Sequence, residues 1–261
     1  MIRALSTAAT GMDAQQKRLD VTANNIANVS TAGFKRSRAE FADLMYQNMR
    51  AAGSATSANT KAPNGTEIGL GVRTVSTQRM HSEGDLQQTG NPLDVAIQGP
   101  GFFPIKLPSG ELAYTRDGSF KLDNEGKVVN SEGYQIGSDI TVPPDAQSIT
   151  IGADGTVTVI VPKQAAPTEV GKIELATFVN PAGLAAAGNN LYKETAASGT
   201  AITGAPGENG IGNLQQGTRE MSNVKVVEEM IDLISGQRAY EINGRVISAA
   251  DEMLQQTANL K

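Results

Sequence analysis

Three asparagines, Asn24, Asn25 and Asn28, crowd the stretch "DVTANNIANVSTAGFKR", residues 20–36. Asparagine is a poor residue for a helix interior and a good one for ends and turns. Its amide both donates and accepts, so such a cluster could serve an active site, carry a glycan or tie a turn to nearby backbone. Asn28-Val29-Ser30 fits the glycosylation acceptor pattern, but that triplet is frequent by chance. The carboxylates are the other candidates. Asp117, Asp123, Glu125, Glu132 and Asp154 sit beside turn glycines. A pair of them could act as acid and base in a cell-wall glycosidase, whereas local bonding to turn backbone explains each of them singly. Asp123-Asn124-Glu125-Gly126 lacks the spacing and terminal glutamate of a calcium loop. Gly69-Leu70-Gly71 and Gly99-Pro100-Gly101 open no helix after a strand, so they read as turns and not as phosphate loops. His81 is the single histidine, and cysteine is absent. Thiolate sites are therefore excluded, and most histidine catalysis and zinc sites with them. Beside Arg79 and Glu83, His81 reads as a surface or boundary residue. No nucleophile, base and orienting group come together. No catalytic, cofactor-binding or metal residue is assigned.

Composition narrows the partners. The 261 residues carry a net charge of −5 with no basic block, which argues against nucleic acid. Tryptophan is absent and aromatics make up 4% of the chain, so a base-stacking platform is not expected. The longest apolar runs are a few residues, against the roughly 20 of a spanning helix, so membrane insertion is not expected. The first 20 residues hold no continuous apolar stretch, so a cleavable secretory signal is not expected either.

The elements that must position the amides follow from glycine and proline. All 11 prolines lie between Pro63 and Pro206. All 28 glycines except Gly11, Gly33, Gly236 and Gly244 lie between Gly53 and Gly217. The two ends can therefore hold long helices, and the middle should be strands and turns. Ile2, Leu5, Ala9, Met12, Gln16, Leu19, Ala23 and Ile26 alternate at spacings of three and four, a coiled-coil seam. They predict a helix over residues 3–28. At the other end Val226, Leu233, Tyr240, Ile247 and Leu254 repeat every seven residues, flanked by further apolar positions. They predict a second helix over 222–258, capped by Ser222, with an apolar face too wide for one neighbour. The two helices are expected to pair, and the surplus apolar face to be covered by other copies of the chain. Between them, "LDVAIQGPGFFPIKL", "SITIGADGTVTVIV" and "KIELATFV" alternate as strands, with closely spaced turns that imply hairpins. Residues 51–66 read as an extended linker or loop. Asn28, Ser30 and Thr31 would cap and turn the first helix, Gly33 would allow a backbone that a β-carbon resists, and Phe34 would anchor the turn.

The fold class is thus α+β. Long terminal helices pair as a coiled-coil-like inner domain over 1–35 and 221–261. An extended or hairpin region covers 36–78, and an antiparallel β-rich outer domain covers 79–220.

"GMDAQQKRLDVTANNIANVSTAGFKRSRAEF" resembles the N-terminal signature of bacterial flagellar rod and hook proteins, and residues 221–258 resemble the matching C-terminal signature. "NPLDVAIQGPGFF" and "YTRDGSFKLDNEGKVVNSEGYQI" are similar to segments shared by the same family. Length and "AEFADLMYQNMRAAG" look most like a distal rod subunit, the alternatives being the adjacent rod protein or a short hook-type subunit. The resemblance implies a hollow helical homo-polymer in the rod that spans the periplasm, the drive shaft between motor and hook. It implies export by the flagellar type III apparatus. The partners would be proximal rod proteins, the hook protein or hook-side junction, and the P- and L-ring proteins as a bushing. Ile2, Leu5, Met12, Leu19 and Ile26, with Val226, Leu233, Tyr240, Ile247 and Leu254, would form the assembly interface, and Asn24, Asn25, Asn28, Gly33 and Phe34 a joint.

Overall fold

The computed structural model describes residues 2–57, 60–162, 166–208 and 210–259. The fold is α+β; among the described residues two α-helices flank antiparallel strands in sequence. Helix α1 runs Ile2–Ala27 and helix α2 runs Val226–Asn259. The second helix starts four residues later than the spacing predicts. Ser222 does not cap it; its hydroxyl accepts instead from the Val224 N–H at 3.3 Å, a local turn. The first α2 carbonyl bond is that of Lys225, which accepts from the Glu229 N–H at 3.1 Å.

The chain divides into two compact units. One holds residues 1–26, 37–78 and 225–261, so the segment after the joint groups with the helices. In it Ser37–Asp43 pairs with Val72–Arg79, and Tyr46–Arg50 with Thr66–Gly69. Residues 51–66 are consequently not plain linker. Ala55–Ser57 pairs with Thr60–Lys61, which continues the hairpin outward among the described residues. Small polar residues conceal this ladder in the sequence, because they show no apolar alternation.

The other unit holds residues 27–36 and 79–224. Its largest sheet has seven strands, in the order Lys121–Leu122, Val128–Val129, Gln135–Ile136, Phe103–Lys106, Leu112–Thr115, Leu191–Lys193 and Ala185–Gly188. Ser148–Ile151, Thr156–Ile160 and Thr168–Lys172 form a three-stranded sheet, with the predicted hairpin at Asp154-Gly155. "KIELATFV" is not one strand; it breaks between Lys172 and Leu175. One core packs Phe103 against Phe120 edge-on at 5.1 Å, among Val95, Ile97, Ile105 and Ile136. A second gathers Phe102, Tyr114, Phe178, Leu184 and Tyr192. The turn carboxylates bond locally: Asp117 Oδ1 accepts from the Ser119 N–H at 3.0 Å, and Asp154 Oδ1 from the Thr156 N–H at 3.2 Å.

Candidate functional site

The site begins with the way the helices touch. Gly11 lies against Asn243, Leu19 against Gly236, Arg18 donates to Asp232 at 2.7 Å, and Asn25 donates to Glu229 at 3.1 Å. Rising numbers on α1 meet falling numbers on α2, so the pair is antiparallel. A β-carbon on Gly236 would stand 3.0 Å from Leu19 Cδ2, and one on Gly11 would stand 3.0 Å from Asn243 Nδ2. The two glycines let the helices close up where larger residues would hold them apart.

The face used for this contact takes in small and polar residues beside the apolar stripe, whose Leu19 packs on Gly236. On α1 the buried residues are Ala8, Ala14, Thr22 and Asn25; on α2 they are Glu229, Gly236 and Ala250. The stripe residues are only partly covered. Ile2 is exposed, while Leu5, Met12, Leu19 and Ile26 are half-buried. Val226 and Tyr240 are exposed, while Leu233, Ile247 and Leu254 are half-buried. A wide surplus remains on α2. Val227, Met230, Ile231, Ile234, Ile242 and Met253 are all exposed, from 47% to 71%. At about 100° per residue they fall on the side of the helix away from Gly236 and Ala250.

Asn25 is the amide that works inside this unit. Its side chain is 1% exposed. Its amide donates to the Ser37 carbonyl at 2.9 Å and accepts from the Ser37 N–H at 2.9 Å, as a strand neighbour would. A second N–H reaches Glu229. One residue thus fastens α1 to the first residue of the next strand and to α2. Its position off the apolar stripe points to solvent, but the contact face extends past the stripe, and the amide is buried.

Residues 27–36 belong to the β unit, and there the rest of the joint is held. Asn28 Oδ1 accepts from the Thr31 hydroxyl at 3.2 Å, and the Thr31 N–H donates to the Asn28 carbonyl at 3.2 Å, which turns the chain. Gly33 has φ +65° and donates its N–H to the Glu220 carbonyl at 2.9 Å. Phe34 is buried. Asn190 donates to the Ala32 carbonyl at 3.0 Å. The Arg36 N–H donates to Asn223 Oδ1 at 2.7 Å, and Asn223 donates onward to the Met80 and Ser82 carbonyls.

Sequence reasoning does not find the charges beneath this turn. Lys35 and Glu220 are wholly buried and lie 2.5 Å apart, and Arg116 Nε donates to the other Glu220 oxygen at 2.9 Å. Glu220 also accepts from the Gly84 N–H at 2.9 Å. Arg116 Nη1 donates to the Gly99 and Gly101 carbonyls at 2.8 and 2.7 Å. Burial lowers the Lys35 pKa; Glu220 opposes that shift and Arg116 adds to it. His81 stands edge-on between Phe102 and Tyr192, at 5.5 and 5.4 Å, and its pKa is lowered to about 4 by burial and then by Lys35, Arg79 and Arg116. Partners 185 and 104 residues apart leave no local signature in the sequence.

A helix pair that meets largely through small and polar side chains, and leaves one broad apolar side of α2 uncovered, defines a structural subunit built to assemble. Three family models match the chain in order: "Flagella basal body rod protein" over residues 5–35, "Flagellar hook protein FlgE/F/G D1 domain" over 96–159, and "Flagellar basal body rod FlgEFG protein C-terminal" over 215–260. The flagellar basal-body rod protein FlgG of Buchnera aphidicola subsp. Schizaphis graminum is 51% identical over 260 residues, covering 100% of both chains. That of Borreliella burgdorferi is 50% identical, covering 100% of this chain and 99% of the relative. In Bacillus subtilis the FlgG protein is 43% identical over the whole of both chains, whereas the hook-basal body complex protein FlhP is 31% identical over 97% of each. The chain belongs to the FlgG family of flagellar basal-body rod proteins. It is a structural subunit, and its place is the rod of the basal body.

Proposed function

We propose that this subunit polymerises through α1 and α2 into the hollow, helical distal rod, the shaft that carries torque from motor to hook. The observation that carries the reading is the uncovered apolar side of α2, where Val227, Ile231 and Ile242 are 60–71% exposed. Burying such side chains between copies stabilises by about 1.5–3 kcal/mol each. A contact between unlike surfaces of identical subunits that does not close on itself extends as a helix. In this reading the terminal helices form the inner layer, and the β unit faces outward. The apolar positions Ile2, Leu5, Met12, Leu19 and Ile26, with Val226, Leu233, Tyr240, Ile247 and Leu254, contribute to the interface. Several of these also touch the subunit's own helix pair, so the strongest intersubunit positions are the exposed ones beside them. The partners are other copies, the proximal rod proteins on one side, the hook or its junction on the other, the P- and L-rings around it, and the type III apparatus that exports it. The role in this reading is structural.

Ile231→Asp and Ile242→Asp test the reading, because both side chains are 60% exposed and their loss leaves the subunit's own contacts intact. Each variant should keep the circular dichroism of the monomer and fail to form rods in electron micrographs or to restore motility. Normal rods from both would overturn the proposal.

A further inference from the structure

The joint of the β unit lies over a cavity of about 60 Å³, lined by Lys35, His81, Phe102, Arg116, Phe178 and Pro181 among others. The charges at its wall do not balance. Lys35 and Arg116, 0% and 4% exposed at the side chain, share a single carboxylate, Glu220. The Lys35 ammonium has three N–H donors and bonds two acceptors, Glu220 and the Ser82 carbonyl at 2.6 Å. Arg116 spends Nε on Glu220 and Nη1 on two carbonyls, and its Nη2 bonds no acceptor among the described residues. His81 Nδ1 is buried without a hydrogen-bond partner. Arg79, stacked on Tyr192 at 5.3 Å, adds further positive field, and Glu83, which is exposed, only partly offsets it.

We propose that this cavity binds a small monovalent anion of chloride size, which fastens the joint to the β unit. One excess buried positive charge calls for one negative charge, and the ring faces and proline around it lower the local dielectric and strengthen the attraction. A volume of about 60 Å³ holds a few water-sized spheres. A monatomic anion with a water fits there, and a nucleotide or sugar phosphate does not. Lys35 comes from the segment leaving α1, whereas Arg116 and His81 come from the β body. The anion therefore bridges the two. Its presence also favours the charged form of Lys35, which burial otherwise opposes.

The test is thermal unfolding of the full-length protein in rising sodium chloride, at constant ionic strength set with sodium gluconate. The midpoint should climb by about 2–5 °C and saturate, as a single site does. Thr177→Leu fills the cavity, of which Thr177 is a lining residue, while leaving Lys35, Arg116 and Glu220 in place. That variant should lose the saturable rise. Bromide-soaked crystals of the unaltered protein should show an anomalous peak between Lys35 Nζ and the Arg116 guanidinium, and they decide the matter if Thr177→Leu does not fold. A rise that never saturates, an equal rise in Thr177→Leu, or no bromide peak in the cavity overturns the proposal.

Discussion

Gly33 offers the sharpest quantitative check on the joint. Its φ of +65° is a backbone conformation that costs an L-residue about 1–2 kcal/mol. A β-carbon there would also stand 2.6 Å from the Asp117 nitrogen and 2.8 Å from the Arg116 carbonyl carbon, both backbone atoms that cannot swing aside. Forcing such a fit typically adds about 1–3 kcal/mol. If the segment lifts to relieve it, the Gly33 bond to the Glu220 carbonyl is lost, about another 1 kcal/mol. Gly33→Ala should therefore cost about 3–6 kcal/mol. The ceiling is the free energy that docks residues 27–36, because the segment can detach before the sheets unfold. Gly90 is the control. It has φ +73°, and a methyl group there would meet no atom within 4 Å, so Gly90→Ala should cost only the backbone term, about 1–2 kcal/mol. Urea unfolding followed by tyrosine fluorescence reads both, since Tyr114 and Tyr192 are buried in the β unit. Equal losses for the two variants would show that the close approach at Gly33 does not hold in solution. Gly33→Val should match Gly33→Ala or exceed it, and should impair rod assembly as well.

Other outcomes follow from the buried polar groups. His81 has a folded pKa of about 4 against an ordinary 6.5, so the fold favours the neutral ring. Its contribution is fully present above pH 6.5 and is lost as pH falls from there toward 4, about 2–3 kcal/mol in all. His81→Phe should flatten acid unfolding over that window, and an unchanged profile would refute the assignment. Asn25→Asp sets a carboxylate about 3 Å from Glu229 and removes the donor to the Ser37 carbonyl. It should destabilise the helical unit by about 3 kcal/mol at neutral pH, and part of the loss should return as acid protonates one of the pair. Hydrogen exchange in α1 at pH 5 and pH 7.5 measures this, and a loss independent of pH would argue against the close contact with Glu229.

The helices are legible in the sequence because long stretches without proline and with few glycines admit little else, and the heptads mark their apolar lines. The face through which they meet is legible only in part, at Leu19. Ala8, Gly11, Ala14, Gly236 and Ala250 carry almost no hydrophobic signal, yet small size is what a close crossing requires. Pattern alone therefore marks the apolar line, misses the small residues beside it, and leaves Asn25 outside that line. The turn at Gly33 is visible in its residue types. The reason only glycine fits there is not, because the obstructing atoms belong to Arg116 and Asp117. The ion cluster of Lys35, Arg116 and Glu220 depends wholly on tertiary folding, and nothing short of the fold brings those residues together.

The paired hydrogen bonds from Gly33 to Glu220 and from Arg36 to Asn223 have a modular consequence. They bring the start and the finish of the β unit side by side, as two lanes of one doorway. Whatever lies between the lanes can lengthen, shorten or be exchanged without altering the spacing of the chain where it leaves. The β unit is in that sense a cassette. A lineage can remodel its outer surface to suit a new surrounding while the helical portion keeps one set of contacts, provided that the doorway residues stay as they are.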